Sequence, residues 1–402
     1  MQIIIGLTYK DMKLKPSCLK GIENMYGITK VEKFIDEKDT LSLEDTSGIV
    51  KIDKINSKLN VNEFVSGIPI AFKGKLNEKG YFIVDDYLYY KPDYNPKMET
   101  PMDIDSNNLN QNKNLILFIS NLRIGKPNEY DEGLSPNART MLIEFIQNNN
   151  LNKQLSDISK RIKRVIIVGN SAYVNDKIEE LEKGSFIKAE EYKNEVKNII
   201  NNYTLLDKYI KLISNYIHVD LVNNIEGNDG VYFPQNPNSQ FLFLDNMVNI
   251  NAKTLNLLPN PYMFEVYSHK TKTKKTFLGT SGENINTILQ YTDINDPLLA
   301  MQKTIEWGHL APLAPDTLRI YPYSESDPLL LNNIPDIYFI SGKKDLNKKT
   351  IEIKLDGNNS KKEILLIELP DFSTTFKVVI FNIDNEDVNE INFSQDLSFP
   401  TH

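Results

Sequence analysis

Residues 276–323 read TFLGTSGENINTILQYTDINDPLLAMQKTIEWGHLAPLAPDTLRIYPY. Thr276–Leu278 has strand character, and Gly279-Thr280-Ser281-Gly282 reads as a turn. A polar-capped helix follows, with Thr280 or Asn284 as the candidate cap. A second helix, Pro297–Trp307, stops at Gly308. Beyond it, a loop punctuated by Pro312, Pro315 and Pro322 holds one histidine, His309, and one acid, Asp316. A strand that feeds a glycine turn, two helices and a proline-bound loop belongs to an α/β domain whose function-bearing segments follow strands.

Upstream, Leu115–Ile119 and Arg164–Asn170 are apolar runs of the kind that form strands buried on both faces. A helix predicted over Pro136–Asn148 lies between them, so the two strands pair in parallel within a layered sheet. Residues 171–203 are rich in acids and lysines and read as an exposed charged helix or insertion. An amphipathic helix, Leu205–Ile217, leads into the strand His218–Val222, then into an Asn/Gly/Pro loop over Asn223–Pro237. Thr254–Leu257 and Phe264–Tyr267 read as strands, and the basic run His269–Lys275 reads as a solvated hairpin turn. Further strands are expected at Asp336–Ile340, Thr350–Leu355, Glu363–Glu368 and Lys377–Asn382. Pro370-Asp371-Phe372-Ser373 forms a tight loop, and 384–402 reads as a polar tail.

Residues 1–93 are strand-rich instead. Ile3–Tyr9, Leu41–Glu44, Ile49–Ile55, Ile68–Lys75 and Gly80–Tyr90 make five short strands, the number of a small closed barrel of OB type. Such barrels bind single strands through aromatics on a basic face. Tyr81, Phe82, Tyr87, Tyr89 and Tyr90 cluster on the last strand, but no arginine occurs before Arg123. A docking platform is therefore the main reading and a nucleic-acid role the second. The aperiodic stretch 94–113 reads as a linker or loop, leaving 114–402 as the second domain.

The whole composition narrows function. With 46 Lys and Arg against 54 Asp and Glu, the net charge is −8, which disfavours stand-alone nucleic-acid binding. The single cysteine, Cys18, excludes intrachain disulfides and cysteine-based metal centres. No apolar run reaches the ~20 residues that span a bilayer, and the start lacks the apolar core of a signal peptide.

Strand-end loops in a layered α/β domain can hold a two-metal phosphodiesterase centre, which needs clustered carboxylates and imidazoles. Each loop is in place and each carries the wrong atoms. Asn121 and Arg123 stand where an acid and a histidine are needed, Asn170 where a bridging acid is needed, and Lys343 near an imidazole position. The third loop has Asn228 and Asp229 but no histidine. A guanidinium has no lone pair to donate to a metal. Of four histidines, only His309 lies on a suitable loop, and it reads as structural, hydrogen-bonded to a loop carbonyl. The residues therefore predict no catalytic centre, metal or cofactor.

Several words of the sequence carry a resemblance. Gly6–Leu19 (GLTYKDMKLKPSCL), Pro234-Gln235-Asn236-Pro237, Asn260-Pro261-Tyr262, Phe277–Asn284 (FLGTSGEN), His309–Tyr323, Asp327-Pro328, Pro335–Phe339 and Pro370–Ser373 occur in order along nearly the whole chain. Together they resemble the small (B-type) subunits of eukaryotic DNA polymerase delta. The resemblance implies an OB-type β-barrel packed on a calcineurin-like, metallophosphoesterase-type layered sheet domain with a degenerate metal site. It implies a non-catalytic, nuclear subunit acting in DNA replication and repair synthesis. Its partners would be the cysteine-rich C-terminal domain of the catalytic subunit and a third accessory subunit, with the sliding clamp and DNA reached only through the complex. The family's helical N-terminal extension has no counterpart ahead of Met1, and Gly342-Lys343-Lys344-Asp345 departs from the family's Gly-Asn turn. The candidate interface or scaffold positions are His309, Pro312, Asp316, Tyr321, Pro322, Pro370 and Asp371. A subunit of this kind should expose large apolar faces when alone. The competing readings are a metal-dependent 3′–5′ exonuclease or phosphodiesterase and a single-strand-binding OB protein.

Overall fold

The computed structural model describes residues 1–15, 32–90, 102–103, 113–126, 134–149, 151–174, 189–222, 232–244, 255–321, 323, 325–342, 344–354 and 361–394. Its contacts form two units, one of Met1–Met98 with Glu283–Ile334, the other of Glu99–Gly282 with Pro335–His402. The sequence predicts a second domain unbroken over 114–402, but Glu283–Ile334 groups with the N-terminal strands.

In the first unit, β1 (Gln2–Asp11), β2 (Thr40–Asp45), β3 (Gly48–Lys51), β4 (Pro69–Leu76) and β5 (Phe82–Tyr89) form one antiparallel sheet in the order β3-β2-β1-β4-β5. A parallel bridge from Ile52 to Phe82 joins its two ends, giving the small barrel that the five strands predict. Leu41, Leu43, Phe64, Ile70, Phe72, Phe82 and Val84 are buried. Tyr87 and Tyr89 stack edge-on against each other and contact Phe64, so these aromatics belong to packing, whereas Tyr81 and Tyr90 are exposed.

The segment 283–334 joins this unit through helix-end chemistry. The helix Glu283–Tyr291 ends with carbonyls that lack intrahelical partners and carry the negative end of the helix dipole. Lys10 Nζ donates to Tyr291 O at 3.1 Å, and Lys33 Nζ donates to Thr292 O and Ile294 O at 3.1 and 3.0 Å. Phe34 lies 5.0 Å from Tyr291, ring to ring. Near the barrel, Gly67 has φ +89°, and a Cβ there would stand 2.2 Å from Pro312 O. Only glycine lets the Pro312 loop come this close.

Lys10 is buried, and desolvation lowers its ammonium to about 8, against the pull of Asp39 and Asp293. Between about pH 8 and its ordinary value of 10.5, the unfolded chain holds a proton that the folded chain has released, so this residue makes stability rise with pH. The unfolding free energy of the wild type relative to Lys10→Met should climb by roughly 2–3 kcal/mol from pH 7.5 to 10.5. Urea titrations across that range measure it, and a flat difference would contradict the buried ammonium.

The second unit holds two six-stranded sheets. One contains β7 (Leu115–Ser120), β8 (Ile162–Val168), β9 (His218–Val222), β10 (Leu255–Leu258), β16 (Lys377–Asn382) and β17 (Val388–Asn392), ordered β10-β9-β8-β7-β16-β17. Strands β7 to β10 pair in parallel, as the strand–helix–strand order predicts. The other contains β6 (Met102–Asp103), β11 (Tyr262–Ser268), β12 (Thr273–Thr280), β13 (Ile337–Ser341), β14 (Asn347–Lys354) and β15 (Lys361–Leu369), ordered β14-β15-β13-β12-β11-β6.

Alternation along β7 explains the layering. Leu115, Leu117 and Ile119 face a core shared with the helices Leu134–Ile146 and Ala189–Ser214. Ile116 and Phe118 point the other way, into a core with Phe264, Phe277, Phe339 and Ile367 of the second sheet. A strand buried on both faces reads as an unbroken apolar run for this reason.

Three expectations need correction. The part of the charged stretch from Ala189 to Tyr203 and most of the helix at 205–217 form one helix, Ala189–Ser214, whose Tyr203, Leu206, Tyr209, Ile210 and Ile213 make a buried stripe. The linker 94–113 contains β6, which pairs in parallel with β11. The polar tail contains β17, whose Val388 and Ile391 are buried beside exposed Asn389 and half-buried Glu390 and Asn392. Among the described residues, no helix is long and apolar enough to cross a membrane.

Candidate functional site

In the second unit, the loops following β7, β8 and β13 meet. Asn121 N donates to Val168 O at 3.0 Å, Arg123 N to Asn170 O at 2.8 Å and Ile124 N to Ser171 O at 2.9 Å. The first two loops thus extend the parallel pairing of β7 with β8. Asn121 binds three segments with one amide. Its Oδ1 accepts from Asn170 N at 2.8 Å, and its Nδ2 donates to Gly342 O at 3.0 Å. The Ser120 and Ser341 hydroxyls share a hydrogen bond of 2.8 Å. Gly169, at φ +78°, fills the centre, since a Cβ there would stand 2.4 Å from both Asn121 Oδ1 and Ser341 Oγ.

Three of the five positions that the sequence reading takes for degenerate ligands, Asn121, Arg123 and Asn170, therefore sit together at the strand tips. Asn228 and Lys343 lie outside the described residues. At the described tips, Asn121, Arg123 and Asn170 offer no carboxylate or imidazole to a divalent ion. The Asn121 amide is engaged by backbone groups at both ends, and the Arg123 guanidinium is a cation. Among the described residues, no group of three or more His, Cys, Asp or Glu could hold a metal ion.

The structure brings one more acid here than the loop reading assigned to the tips. Ser120 bridges to Asp371, and both Pro370 and Asp371 are buried. Asp371 caps the short helix Phe372–Thr375, accepting from Ser373 N at 2.8 Å and Ser373 Oγ at 2.7 Å. Desolvation pushes its carboxyl above the ordinary range, opposed by Ser373, Arg123 and Lys126. The proximity of Asp371 to Arg123 is a tertiary fact, since 248 positions of chain separate words with no shared spacing signal.

Other words of the sequence prove to be braces. Gln235 and Asn260 form an antiparallel bridge, each N–H donating to the other's carbonyl at 2.7 and 3.1 Å. The buried Asn260 amide also donates to Gln235 Oε1 at 2.8 Å and to Ser281 Oγ, and accepts from Ser281 N at 3.2 Å. This locks together Pro234–Pro237, Asn260–Tyr262 and the Gly279–Gly282 turn.

In the first unit, His309 is buried, but its partners differ from the loop carbonyl expected. Its Nδ1 accepts from Ala311 N–H at 3.0 Å, so the proton sits on Nε2, which donates to Asp327 Oδ2 at 3.0 Å. The His309 bond, helped by Leu329 N–H, holds the Asp327 carboxyl below the usual range. Asn284 is not the helix cap but donates to Leu310 O at 2.9 Å from within the first turn, and the Gly282 N–H reaches Thr280 Oγ1 at 3.3 Å. Pro312 is buried, whereas Asp316 is exposed and pairs with Lys15 at 2.5 Å. Tyr321 is exposed and lies 5.4 Å from the Tyr323 ring, and Pro322 falls outside the described residues.

An apolar surface on this unit was not picked out as a site by sequence reading. Ile3, Ile5, Leu7 and Tyr9 alternate along β1 and are 67, 70, 52 and 44% exposed. Register places Ile5 beside Ala71 and, one strand on, exposed Leu88, and places Leu7 beside Glu44 and then exposed Ile49. The result is an apolar sheet face of the kind that marks an interaction surface.

Comparisons with known proteins agree along the chain. Residues 116–347 match the family model for the B-type subunit of DNA polymerases alpha and epsilon. Residues 1–87 match the model described as DNA polymerase delta subunit OB-fold domain. The DNA polymerase delta small subunit of Oryza sativa subsp. japonica is 29% identical over 395 residues, covering 98% of this chain and 83% of its own. The protein of the same name from Arabidopsis thaliana is 28% identical, covering 98% of this chain and 82% of its own. That of Saccharomyces cerevisiae is 27% identical, covering 94% and 76%.

Proposed function

The chain belongs to the family of B-type subunits of DNA polymerases alpha and epsilon, and from that premise we propose that it is the non-catalytic small subunit of DNA polymerase delta. In this reading it acts in the nucleus during replication and repair synthesis. It scaffolds the cysteine-rich C-terminal domain of the catalytic subunit and a third accessory subunit, and reaches the sliding clamp and DNA through the complex. The second unit is a calcineurin-like phosphodiesterase layer that has lost its metal centre. The observation that carries the reading is the Asn121 amide, whose oxygen and nitrogen are both bonded to backbone at the point where a carboxylate ligand is required.

The apolar face of β1 supports the scaffold role. We assign it to the third accessory subunit, because the barrel bearing it is the part of the chain that matches the delta-subunit OB model. Its centre is Ile5, Ala71 and Leu88 with Leu7 and Ile49, interrupted by Glu44, while Lys73 and Asp86 flank Ile3 and Ser42 and Lys51 flank Tyr9, so an apolar middle lies within a polar rim as in a protein contact.

A direct test sets this reading against an enzyme. The purified full chain, dialysed against manganese, should retain metal only at background level and should not hydrolyse bis-p-nitrophenyl phosphate or a single-stranded oligonucleotide. Two bound manganese ions per chain with hydrolysis would replace the scaffold reading by a phosphodiesterase.

A further inference from the structure

We infer that the strand tips of the second unit, where the loops after β7 and β8 meet, are a binding site for a phosphate group, with Arg123 as its principal contact. Arg123 adopts a left-handed backbone, φ +43°, two residues after Asn121 at φ +54°. Non-glycine residues rarely adopt this conformation, and it persists where the surroundings impose it. Here the imposing contacts are the Arg123 N–H on Asn170 O and the Asn121 amide on two loops. They fix where the guanidinium emerges.

Among the described residues, the Arg123 side chain makes no hydrogen bond and no ion pair, and its Nε is buried. A buried donor without a partner is unfavourable, and an anion seated on the guanidinium fork would supply the missing bond. Charge nearby favours the same occupant. Lys126, whose N–H donates to Arg123 O at 3.1 Å, also acts on these strand tips. Behind the loop, the Arg139 guanidinium donates to Leu122 O and Arg123 O at 3.3 and 3.2 Å. Among the described residues, two carboxyls stand near these three cations: Asp371, which desolvation disfavours in its charged form, and Glu368, which packs against Gly342. The described cations outnumber the carboxyls, which favours an anion, and a guanidinium fork suits the paired oxygens of a phosphate. Ligands of open α/β sheets bind outside the carboxyl ends of the strands, where this site lies. The site concerns the second unit alone and does not depend on the accessory-subunit contact of the barrel.

Isothermal titration of the full chain with inorganic phosphate tests it. The wild type should bind saturably with a Kd below about 1 mM. Arg123→Asn keeps a side chain that tolerates the left-handed backbone and should bind about tenfold or more weakly, with an unchanged unfolding midpoint. Asp371→Asn keeps a capping residue and removes one opposing charge, and should bind at least about threefold tighter, a gain that misfolding cannot produce. A 5′-phosphorylated deoxyoligonucleotide compared with its 5′-hydroxyl form identifies the source. A preference for the phosphorylated form that Arg123→Asn abolishes places the phosphate on a nucleic-acid end, and binding of inorganic phosphate alone places it in solution. No saturable binding by the wild type, or equal affinities in wild type and Arg123→Asn, overturns the site.

Discussion

Asp220→Ala should cost the folded chain about 3–5 kcal/mol, the toll of removing one partner from a buried ion pair. Asp220 lies on β9 with no solvent exposure. One carboxylate oxygen takes the Arg164 guanidinium from β8, and the other accepts from Asn256 Nδ2 at 2.8 Å on β10. The carboxylate thus ties three adjacent parallel strands. It also borders the buried Tyr262 hydroxyl, which burial and then Asp220 push toward the protonated form. Alanine would strand the Arg164 charge in an apolar interior, where its hydration cannot be recovered. Asp220→Asn, which keeps an acceptor, should cost less than half as much. Urea unfolding of the unit containing β9 measures both variants. A loss below about 1 kcal/mol for alanine would show that the pair contributes little and that Arg164 finds water or another acceptor.

The double substitution Ile5→Glu with Leu7→Glu should weaken, about a thousandfold or close to 4 kcal/mol, the binding of the third accessory subunit. Both side chains are more than half exposed, so the barrel should tolerate the change with its thermal midpoint shifted by only a few degrees. In a complex, each glutamate would place an unpaired charge at the centre of an apolar contact, where hot-spot residues carry about 2 kcal/mol or more apiece. Affinity measured by surface immobilisation of the full chain separates the two effects. Unchanged affinity with both glutamates present would move the accessory contact elsewhere on the barrel.

Much of this architecture is written locally. Leu115–Ile119 and Val165–Val168 are legible as buried parallel strands because both faces of each are covered, so no polar residue interrupts the run. The helix Pro297–Trp307 is equally legible, since Asp296 caps it, Pro297 opens it and Gly308 closes it in the left-handed region. β17 was missed because its exposed Asn389 and half-buried Glu390 make the strand read as polar tail, and only pairing with β16 reveals its buried face. The grouping of Glu283–Ile334 with the barrel was missed for a related reason. It depends on Lys10 and Lys33 meeting helix-end carbonyls about 260 to 280 positions away, and lysine in a strand reads as solvent-facing.

The candidate site was half legible. Asn121, Arg123 and Asn170 stood out by what they replace, which needs only their order on strand ends. The arrangement of Asp371 beside Arg123 needed the fold. His309 and Asp327 were each noticed as words, but their mutual hydrogen bond was not, because no spacing rule links a helix terminus to a turn 18 residues on. The alternating apolar face of β1 was equally hidden. In the order Ile3-Ile4-Ile5-Gly6-Leu7, apolar residues occupy both registers, and sequence alone does not say which row faces out.

The most direct measurement is co-purification of the full chain with the C-terminal cysteine-rich domain of a DNA polymerase delta catalytic subunit, followed by light scattering and metal analysis on the same peak. A one-to-one complex that survives gel filtration at sub-micromolar concentration, with no divalent metal assigned to this chain, is the predicted result. Separate elution of the two components at that concentration would contradict the account.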